Sequence, residues 1–216
     1  MIAANQPPSP TGLRGLYIRP ATLSDAEAIL ILHSQAFADK FDGAFGANGA
    51  ERGKAALAAA WQRQGGTAIR GMLVAILEEQ IVGTASLRTR EMPSDDNGAA
   101  EFAFHQVLGL WGALRSIMAL SLLDHTIMQG EGFVTDVAVR PDFQRRGVAR
   151  RLLAHIEQEA RSCQKEFLGL YVSGANKGAQ RLYYHHGFYK VRLRHSWMTR
   201  LFYGQRTWVY MKKDLT

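Results

Sequence analysis

The stretch of residues 133–172 constrains the fold of this chain more than any other part of it. Residues 133–139 and 167–172 are largely apolar and each predict a short buried strand. The segment between them, residues 147–162, has the spacing of an amphipathic helix. Parallel strands need a crossover of this kind, because a tight hairpin turn cannot connect them. The sequence therefore predicts an α/β fold with a parallel strand pair at its centre.

The helix predicted over residues 147–162 has a single apolar face that extends one residue past its end. Cys163 lies on this face, so core packing is favoured over a nucleophilic role for its thiol. It is the only cysteine in the chain, which excludes an intramolecular disulfide and predicts a reducing, cytoplasmic setting. The apolar residues recur at helical spacing: Ala149, Leu152, Leu153, Ile156, Ala160 and Cys163.

The rest of the chain supplies further strands and defines the predicted domain. Together with the central pair, these strands predict a mixed sheet of about seven strands flanked by helices. The glycine-rich residues 39–49 are predicted as a loop, followed by a helix that begins at Asn48. Residues 1–15 are interpreted as a flexible tail and residues 16–216 as one domain. The five further strands are predicted at residues 16–19, 72–77, 81–87, 188–193 and 207–211.

The turn after the first central strand has the features of a phosphate site. Gly147 begins the amphipathic helix, whose first N–H groups lack partners within the helix and lie at the positive end of its dipole. The chain has a net charge of +7, and part of that charge is concentrated here. This local concentration favours a phosphorylated ligand over a nucleic-acid partner. Four arginines surround the turn: Arg145, Arg146, Arg150 and Arg151.

Two motifs together identify a family. The first reads Gln144-x-x-Gly147-x-Ala149, and it lacks both the Gly-Lys-Ser/Thr of a P-loop and the three-glycine spacing of a dinucleotide fold. The second begins after the next strand, where Asn176 follows residues 171–175. A Leu-Tyr pair and a Gly-Phe pair come next in the chain, at Leu182-Tyr183 and Gly187-Phe188. Together the motifs resemble the signature blocks of the GNAT superfamily of acyl-CoA N-acyltransferases.

The resemblance implies a binding mode for acetyl-CoA. The central parallel strands of the family splay apart, and the pantetheine arm lies between them like an added strand. Asn176 would hydrogen-bond this arm, cap the following helix, or do both. The strand backbone would hold the arm and the helix amides the pyrophosphate. The implied cofactor-binding residues are Val137, Ala138, Val139, Gln144, Arg145, Arg146, Gly147, Val148, Ala149, Arg150 and Asn176.

The resemblance also implies a catalytic acid, whereas the base has to be sought among the carboxylates. Tyr183 matches the family tyrosine that protonates the leaving thiolate, the alternative being a half-buried aromatic residue. Some family members carry a glutamate at a position where this chain has Tyr171. Asp136 lies in an apolar run where an unpaired carboxylate is costly. We therefore expect it to be the general base or a satisfied hydrogen-bond anchor, with Glu131 as the other candidate.

Residues 101–128 form a long apolar segment with helical spacing that the common family plan lacks. We interpret it as a helical insertion that is broken or bent near Gly109 and Gly112. Its apolar part, residues 107–123, is 17 residues long and contains two glycines, two serines and Arg115, so it is too short and too polar for a membrane span, which needs about 20 apolar residues. It could be core packed on the sheet, a dimer face, or a wall of the amine pocket with Trp111 as an anchor. We favour the wall.

The implied function is transfer of an acetyl group from acetyl-CoA to a primary amine, by direct attack in a ternary complex. The alternative is a catalytically weak sensor that binds acyl-CoA, which the missing glutamate at Tyr171 favours and the presence of Tyr183 disfavours. No metal site is predicted, because the adjacent His185 and His186 would point about 100° apart on a helix. The sequence leaves open which amine is acetylated and whether the protein is a homodimer.

Overall fold

The computed structural model describes residues 13–46, 48–92 and 97–215. Seven strands form one sheet in the order β1-β2-β3-β4-β5-β7-β6. Only β4 and β5 are parallel, and every other neighbouring pair is antiparallel. The predicted α/β fold with a mixed seven-stranded sheet is confirmed. The strands are β1 (Tyr17–Pro20), β2 (Met72–Leu77), β3 (Gln80–Thr89), β4 (Glu131–Val139), β5 (Phe167–Ser173), β6 (Tyr189–His195) and β7 (Thr207–Asp214).

The parallel pair separates along its length, as predicted. β4 and β5 are in register only through Glu131–Phe167, Gly132–Leu168 and Phe133–Gly169. Both strands then continue, β4 to Val139 and β5 to Ser173, without pairing with each other. A gap therefore opens in the middle of the sheet towards the carboxyl ends of the two strands.

Helices cover both faces of the sheet because alternate residues of a strand point to opposite sides. On β2, Leu73, Ala75 and Leu77 join the main core with α5, whereas Met72 and Val74 pack with Ile29 of α1. The helices are α1 (Ala26–Ala36), α2 (Ala38–Phe45), α3 (Gly49–Gln64), α4 (Asn97–Ser121), α5 (Val148–Ser162), α6 (Lys177–His185) and α7 (Trp197–Tyr203).

Two of these helices were not predicted. α2 occupies the segment expected to be a glycine-rich loop, and α7 had no counterpart in the sequence analysis. The glycines of α2 and α3 allow close helix packing rather than a loop: a Cβ at Gly43 would overlap the carbonyl oxygen of Phe202, and one at Gly53 would overlap the ring of Phe45. A second core thus forms among α2, α3, α4 and α7, with Tyr203 buried in it.

The predicted helical insertion is real but shorter than expected. α4 ends at Ser121, and residues 122–130 lead to β4 without helical structure. The helix is interrupted at Gly109, where φ is 72° and ψ is 176°. Its packing partners are α2 and α3. The alternative of a core helix is therefore confirmed in part: α4 is packed in the second core, against helices instead of the sheet.

Cys163 does not lie in the core. α5 ends at Ser162, so Cys163 leaves the apolar face of the helix and is exposed. Of the predicted tail, only residues 13–15 fall within the described residues. Leu13 is buried in the main core, so at least this end of the segment is attached to the domain.

The described residues were also compared with what a membrane span and a metal site require. None of the helices in residues 13–46, 48–92 and 97–215 is long and apolar enough to cross a membrane. Over the same residues, no group of three or more histidine, cysteine, aspartate or glutamate side chains is arranged to hold a metal ion.

Candidate functional site

A cleft of about 630 Å³ occupies the gap between β4 and β5. Residues 134–139 of β4 line one side and residues 171–173 of β5 the other. α6 contributes Tyr183 at the β5 side, and residues 35–40 at the end of α1 and start of α2 close the opposite side. The predicted residues that meet in this cleft are Asp136, Val137, Ala138, Val139, Gln144, Asn176 and Tyr183.

The turn into α5 leaves its backbone open. Gly147 has a φ of 95°, in the left-handed region that glycine adopts without strain. The nearest atom to a Cβ built there is Cδ1 of Leu13 at 3.7 Å, so the space around the turn is free of backbone. Arg145 also has a positive φ, of 60°. The free N–H groups at this helix end suit an anion.

The predicted cofactor residues of this turn differ in what they can offer. Val148 is buried in the main core, so only its main chain can face a ligand, and Ala149 is partly buried. The guanidinium of Arg146 lies 5.2 Å from the ring centre of Phe143. The side chains of Gln144, Arg145, Arg146 and Arg150 are exposed.

Two predicted residues already have partners within the chain. The Gln144 side chain donates to the carbonyl oxygen of Val139 at 3.1 Å, so this strand carbonyl is occupied. The Asn176 side chain accepts from the Ala179 N–H at 2.9 Å. The capping role expected for Asn176 is therefore present, and its side chain also lines the cleft.

Tyr183 is a buried phenol at the wall of the cleft. Its ring packs edge-on against Phe188, with 5.8 Å between centroids. Burial raises the pKa of Tyr183 to about 12. No described residue hydrogen-bonds its hydroxyl group. The side chain is therefore a neutral hydrogen-bond donor at physiological pH with its donor uncommitted.

Asp136 sits at an irregularity of β4. The pairing with β3 shifts between Ser86–Thr135 and Thr84–Ala138, which places an extra residue on β4. Asp136 has a φ of 54° there, a conformation that aspartate tolerates better than most residues. The bulge turns its side chain towards the cleft, which it lines.

The surroundings of Asp136 keep it ionised. Burial alone raises its pKa, but the nearby His33 imidazole, the Thr135 hydroxyl and the Lys40 ammonium outweigh this effect, so the pKa lies below its usual value. Thr135 donates to the carboxylate at 2.9 Å. The buried Ser86 hydroxyl, which has no hydrogen-bond partner among the described residues, also lowers this pKa.

Glu131, the other carboxylate considered as a base, is fully buried at the start of β4. The His125 Nε2 lies 3.0 Å from both of its oxygens, and the Met128 N–H and Tyr210 hydroxyl donate to it at 2.8 Å and 2.6 Å. It lines neither the cleft nor the chamber described below. These contacts satisfy the carboxylate, so Glu131 is a structural residue.

A smaller chamber of about 180 Å³ opens off the cleft beside Asp136. The two cavities share six residues in their walls: Lys40, Val134, Thr135, Asp136, Tyr171 and Trp208. Tyr171 offers no carboxylate, and its hydroxyl accepts a hydrogen bond from Arg192 at 2.8 Å. Sequence reasoning missed Lys40 and Trp208, because α2 was predicted as a loop and β7 carries no motif.

The predicted role of α4 as a pocket wall is not supported by the geometry. No residue of 98–121 lines the cleft or the chamber. Trp111, the expected anchor, is 79% exposed. Among the residues that follow the helix, Leu122 and Leu123 reach the chamber. The wall comes instead from α2, α7 and β7, and the dimer-face alternative for α4 stays a prediction.

Comparison with solved structures supports the fold. The chain covers all of a protein solved as "The crystal structure of acetyltransferase", with 93% of this chain aligned, 20% identity and a TM-score of 0.62. The PaiA N-acetyltransferase of Thermoplasma acidophilum, solved in complex with coenzyme A, aligns over 93% of this chain and 99% of its own, at 12% identity and a TM-score of 0.59. The ribosomal-protein-S18-alanine N-acetyltransferase of Escherichia coli aligns over 93% and 94%, at 17% identity and 0.55.

Sequence comparison establishes the family. The chain is 36% identical over 64 residues to GCN5-related N-acetyltransferase 4, chloroplastic, of Arabidopsis thaliana, a match that spans 30% of this chain and 22% of that protein. A sequence profile described as the Acetyltransferase (GNAT) family matches residues 35–188, which is more than half of the chain and includes both motifs and the strands β4 and β5 that flank the cleft. This protein therefore belongs to the GNAT acetyltransferase family.

Proposed function

We propose that the protein transfers an acetyl group from acetyl-CoA to a primary amine by direct attack in a ternary complex. The observation that carries the proposal is the single cleft between β4 and β5, which brings Asp136 and Tyr183 together near the open turn of α5. The same fold in PaiA N-acetyltransferase, solved with coenzyme A, supports the choice of cofactor. Bound acetyl-CoA would supply the activated thioester.

The turn of α5 holds the pyrophosphate in this proposal. The N–H groups of residues 144–150 include the unpaired amides of a helix start, where the dipole favours an anion. Gly147 lets phosphate oxygens approach the backbone, since it has no Cβ. The exposed arginines Arg145, Arg146 and Arg150 add charge-assisted hydrogen bonds.

The gap between the strands holds the pantetheine arm. Beyond Phe133, β4 has no pairing with β5, so its backbone on that side is available to an extended ligand. Val137 is the natural contact. The carbonyl oxygen of Val139 already accepts a hydrogen bond from the Gln144 side chain, so a contact with the arm would use its second lone pair. Asn176 contributes from the β5 side while capping α6.

Tyr183 and Asp136 act on protons in this proposal. The amine nitrogen bonds to the acetyl carbon, the carbon–sulfur bond breaks, and the nitrogen loses one proton while the sulfur gains one. Asp136, ionised at neutral pH, orients the amine and accepts its proton directly or through water. Tyr183 donates its hydrogen bond to the departing sulfur and supplies the proton. The products are an N-acetylated amine and free coenzyme A.

A sensor that binds acyl-CoA without turnover is the second candidate. It is favoured by the lowered pKa of Asp136, which weakens this carboxylate as a base, and by the lack of a carboxylate at Tyr171. The two candidates agree on cofactor binding and differ in turnover. A screen of primary amines with acetyl-CoA, read by release of free thiol, separates them. If no amine in the panel leads to release of free thiol, the sensor is favoured.

Cofactor binding is tested by thermal stability. At a hundredfold excess over its dissociation constant, acetyl-CoA should stabilise the protein by about 2.7 kcal/mol. Gly147→Glu should abolish the shift through strain, steric block and repulsion of phosphate. Gly65→Glu is the matched control, since Gly65 is also a left-handed glycine with open space around it. An unchanged melting temperature of the parent protein with millimolar acetyl-CoA would contradict the proposal.

The role of Tyr183 is tested by removing one oxygen. Tyr183→Phe should lower kcat by about 10²-fold while the dissociation constant of acetyl-CoA stays the same, because the ring packing on Phe188 remains. Tyr184→Phe is the control, since Tyr184 is its exposed neighbour on α6. Equal kcat values in the two variants would exclude Tyr183 as the proton donor.

A further inference from the structure

The chamber beside Asp136 is suited in size and position to hold the acceptor. Its volume of about 180 Å³ equals the liquid volume of about six water molecules. It joins the cleft at Asp136, where the proposed chemistry places the amine. A molecule that fills it has few non-hydrogen atoms, so its chemical character must be recognised at short range by the chamber walls.

The walls of the chamber carry two basic side chains and one carboxylate. Lys40 and Arg194 line it, and Asp136 is the carboxylate that faces them. The Lys40 ammonium lies 4.5 Å from the ring centre of Phe37 and 5.9 Å from that of Trp208, and among the described residues it forms no ion pair within 4 Å. Arg194 makes one long contact, 3.5 Å to the carbonyl oxygen of Asp124.

A further donor in the wall also lacks a partner. Trp208 is 8% exposed and lines both cavities. Its indole N–H has no hydrogen-bond acceptor among the described residues. Buried donors are normally satisfied, and a site built to pair with a ligand is one place where they are not. Burial lowers the pKa of the Lys40 amine, and the nearby Asp136 carboxylate opposes this shift. The Arg194 guanidinium, the Lys40 amine and the Trp208 N–H can all donate to a ligand that accepts hydrogen bonds, and a negative charge on that ligand would favour the protonated form of Lys40.

Building on the proposed acetyl transfer, we propose that the acceptor is a small amine that also bears a carboxylate, as a free α-amino acid does. Lys40 and Arg194 bind the carboxylate, and the amine faces Asp136. A diamine or polyamine would instead place a second positive charge against these two cations, at a cost that grows as water is excluded. The chemistry is that given above, with an N-acetylamino acid and coenzyme A as products.

Matched acceptors test this class. We expect kcat/KM for leucine to exceed that for 3-methylbutylamine by about 10- to 100-fold, the effect of a charge-assisted hydrogen bond. Leucinamide is the decisive control, because an α-amine without a neighbouring carboxylate has a pKa of about 8 and is more often neutral. Faster turnover of leucinamide or of leucyl peptides than of leucine would overturn the proposal.

Variants of the cations locate the recognition. Arg194→Gln should raise KM for leucine about tenfold or more and leave KM for 3-methylbutylamine and acetyl-CoA unchanged. Lys40→Met also changes the surroundings of Asp136, so it is read from the ratio of the two KM values: KM for leucine should rise more than KM for 3-methylbutylamine. Arg200→Gln, which removes an exposed arginine of α7 outside both cavities, should change none of these constants. Equal KM values for leucine in parent and Arg194→Gln protein would contradict the assignment of the carboxylate.

A binding measurement separates this inference from the proposed function. Titration of leucine and leucinamide into protein saturated with coenzyme A reads carboxylate recognition without turnover. Tighter binding of leucine, with no amine acetylated, would support the ligand class and sink the proposed transfer. Transfer to 3-methylbutylamine and leucine at equal kcat/KM would support the transfer and sink the ligand class.

Discussion

Strand β4 carries two carboxylates in opposite situations. Glu131, at the paired end, is fully buried and is contacted by His125, Met128 and Tyr210. Asp136, at the splayed end, is partly exposed, sits in a left-handed bulge and receives one side-chain hydrogen bond, from Thr135. Both side chains are carboxylates on the same strand. They differ in how many hydrogen bonds each carboxylate already accepts. A satisfied carboxylate stabilises the fold, whereas an unsatisfied one in a cavity is available to a ligand.

The largest expected effect is the loss of stability when the hydrogen-bonded carboxylate of Glu131 is replaced. Glu131→Gln replaces an acceptor by a donor opposite the Met128 N–H and leaves His125 without its charged partner. Loss of one member of a buried, hydrogen-bonded pair costs about 3–5 kcal/mol of unfolding free energy. Urea denaturation measures the loss. Glu159→Gln, an exposed change on α5, should stay within about 0.5 kcal/mol of the parent, and a similarly small effect at Glu131 would refute its structural role.

Asp136→Asn should lower kcat and leave the stability nearly unchanged, in contrast to Glu131→Gln. Asparagine tolerates the left-handed conformation, so the unfolding free energy should change little. We expect kcat to fall about 10²-fold, equivalent to about 2.7 kcal/mol of barrier. Asp136→Ala should lose the same activity and also about 1 kcal/mol or more of stability, since alanine pays for a positive φ. A variant Asp136→Asn that melts early yet keeps its kcat would identify Asp136 as a structural anchor.

A substitution next to Glu131 sharpens the comparison without replacing either carboxylate. A Cβ at Gly169 would overlap the Glu131 carboxylate and the Tyr210 hydroxyl. Gly169→Ala should therefore cost about 1–3 kcal/mol of stability with kcat per folded molecule retained. Gly178→Ala on α6 is the control, because the nearest atom to its Cβ is 3.7 Å away. A fall in kcat at unchanged stability would show that the network reaches the chemistry.

The smallest effect is on the pH dependence of stability. Burial raises the pKa of Glu131, but the hydrogen bonds from His125, Met128 and Tyr210 outweigh it, so its pKa lies below the usual value. A depressed folded-state pKa contributes stability that is present above the unfolded value, about 4.3, and is lost as the pH falls through the folded one. The stability difference between parent and Glu131→Gln should therefore shrink as the pH falls below about 4. A difference that grows on acidification would contradict this assignment.

The turn into α5 and the gap between β4 and β5 were predictable from the sequence, whereas the chamber beside Asp136 was not. A strand, Gly147 and an amphipathic helix follow one another in the chain, so their spacing predicts the turn that we propose as the phosphate site. Lys40, Arg194 and Trp208 come from three distant segments that only the tertiary fold brings together. Gly43 and its neighbours were mistaken for a loop, because close helix packing and flexible turns use the same residue.

The two carboxylates show a similar limit. The apolar run around Asp136 indicated that its charge needed a partner or a task, and the structure provides the left-handed bulge that no local pattern signals. Glu131 was a candidate base on the same reasoning. Its partners, His125 in the segment after α4 and Tyr210 on β7, are not adjacent to it in any motif.

The three-residue register between β4 and β5 divides the sheet into two sub-sheets, β1–β4 and β5–β7. Apart from these three pairs, β4 and β5 are connected along the chain through α5. An extended ligand bound in the gap would join the two sub-sheets. The main-chain N–H groups of residues 134–139 that face the gap have no strand partner and should exchange rapidly with deuterium in the free protein. If acetyl-CoA slows this exchange, the two sub-sheets are held together more rigidly when the ligand is bound than when it is absent.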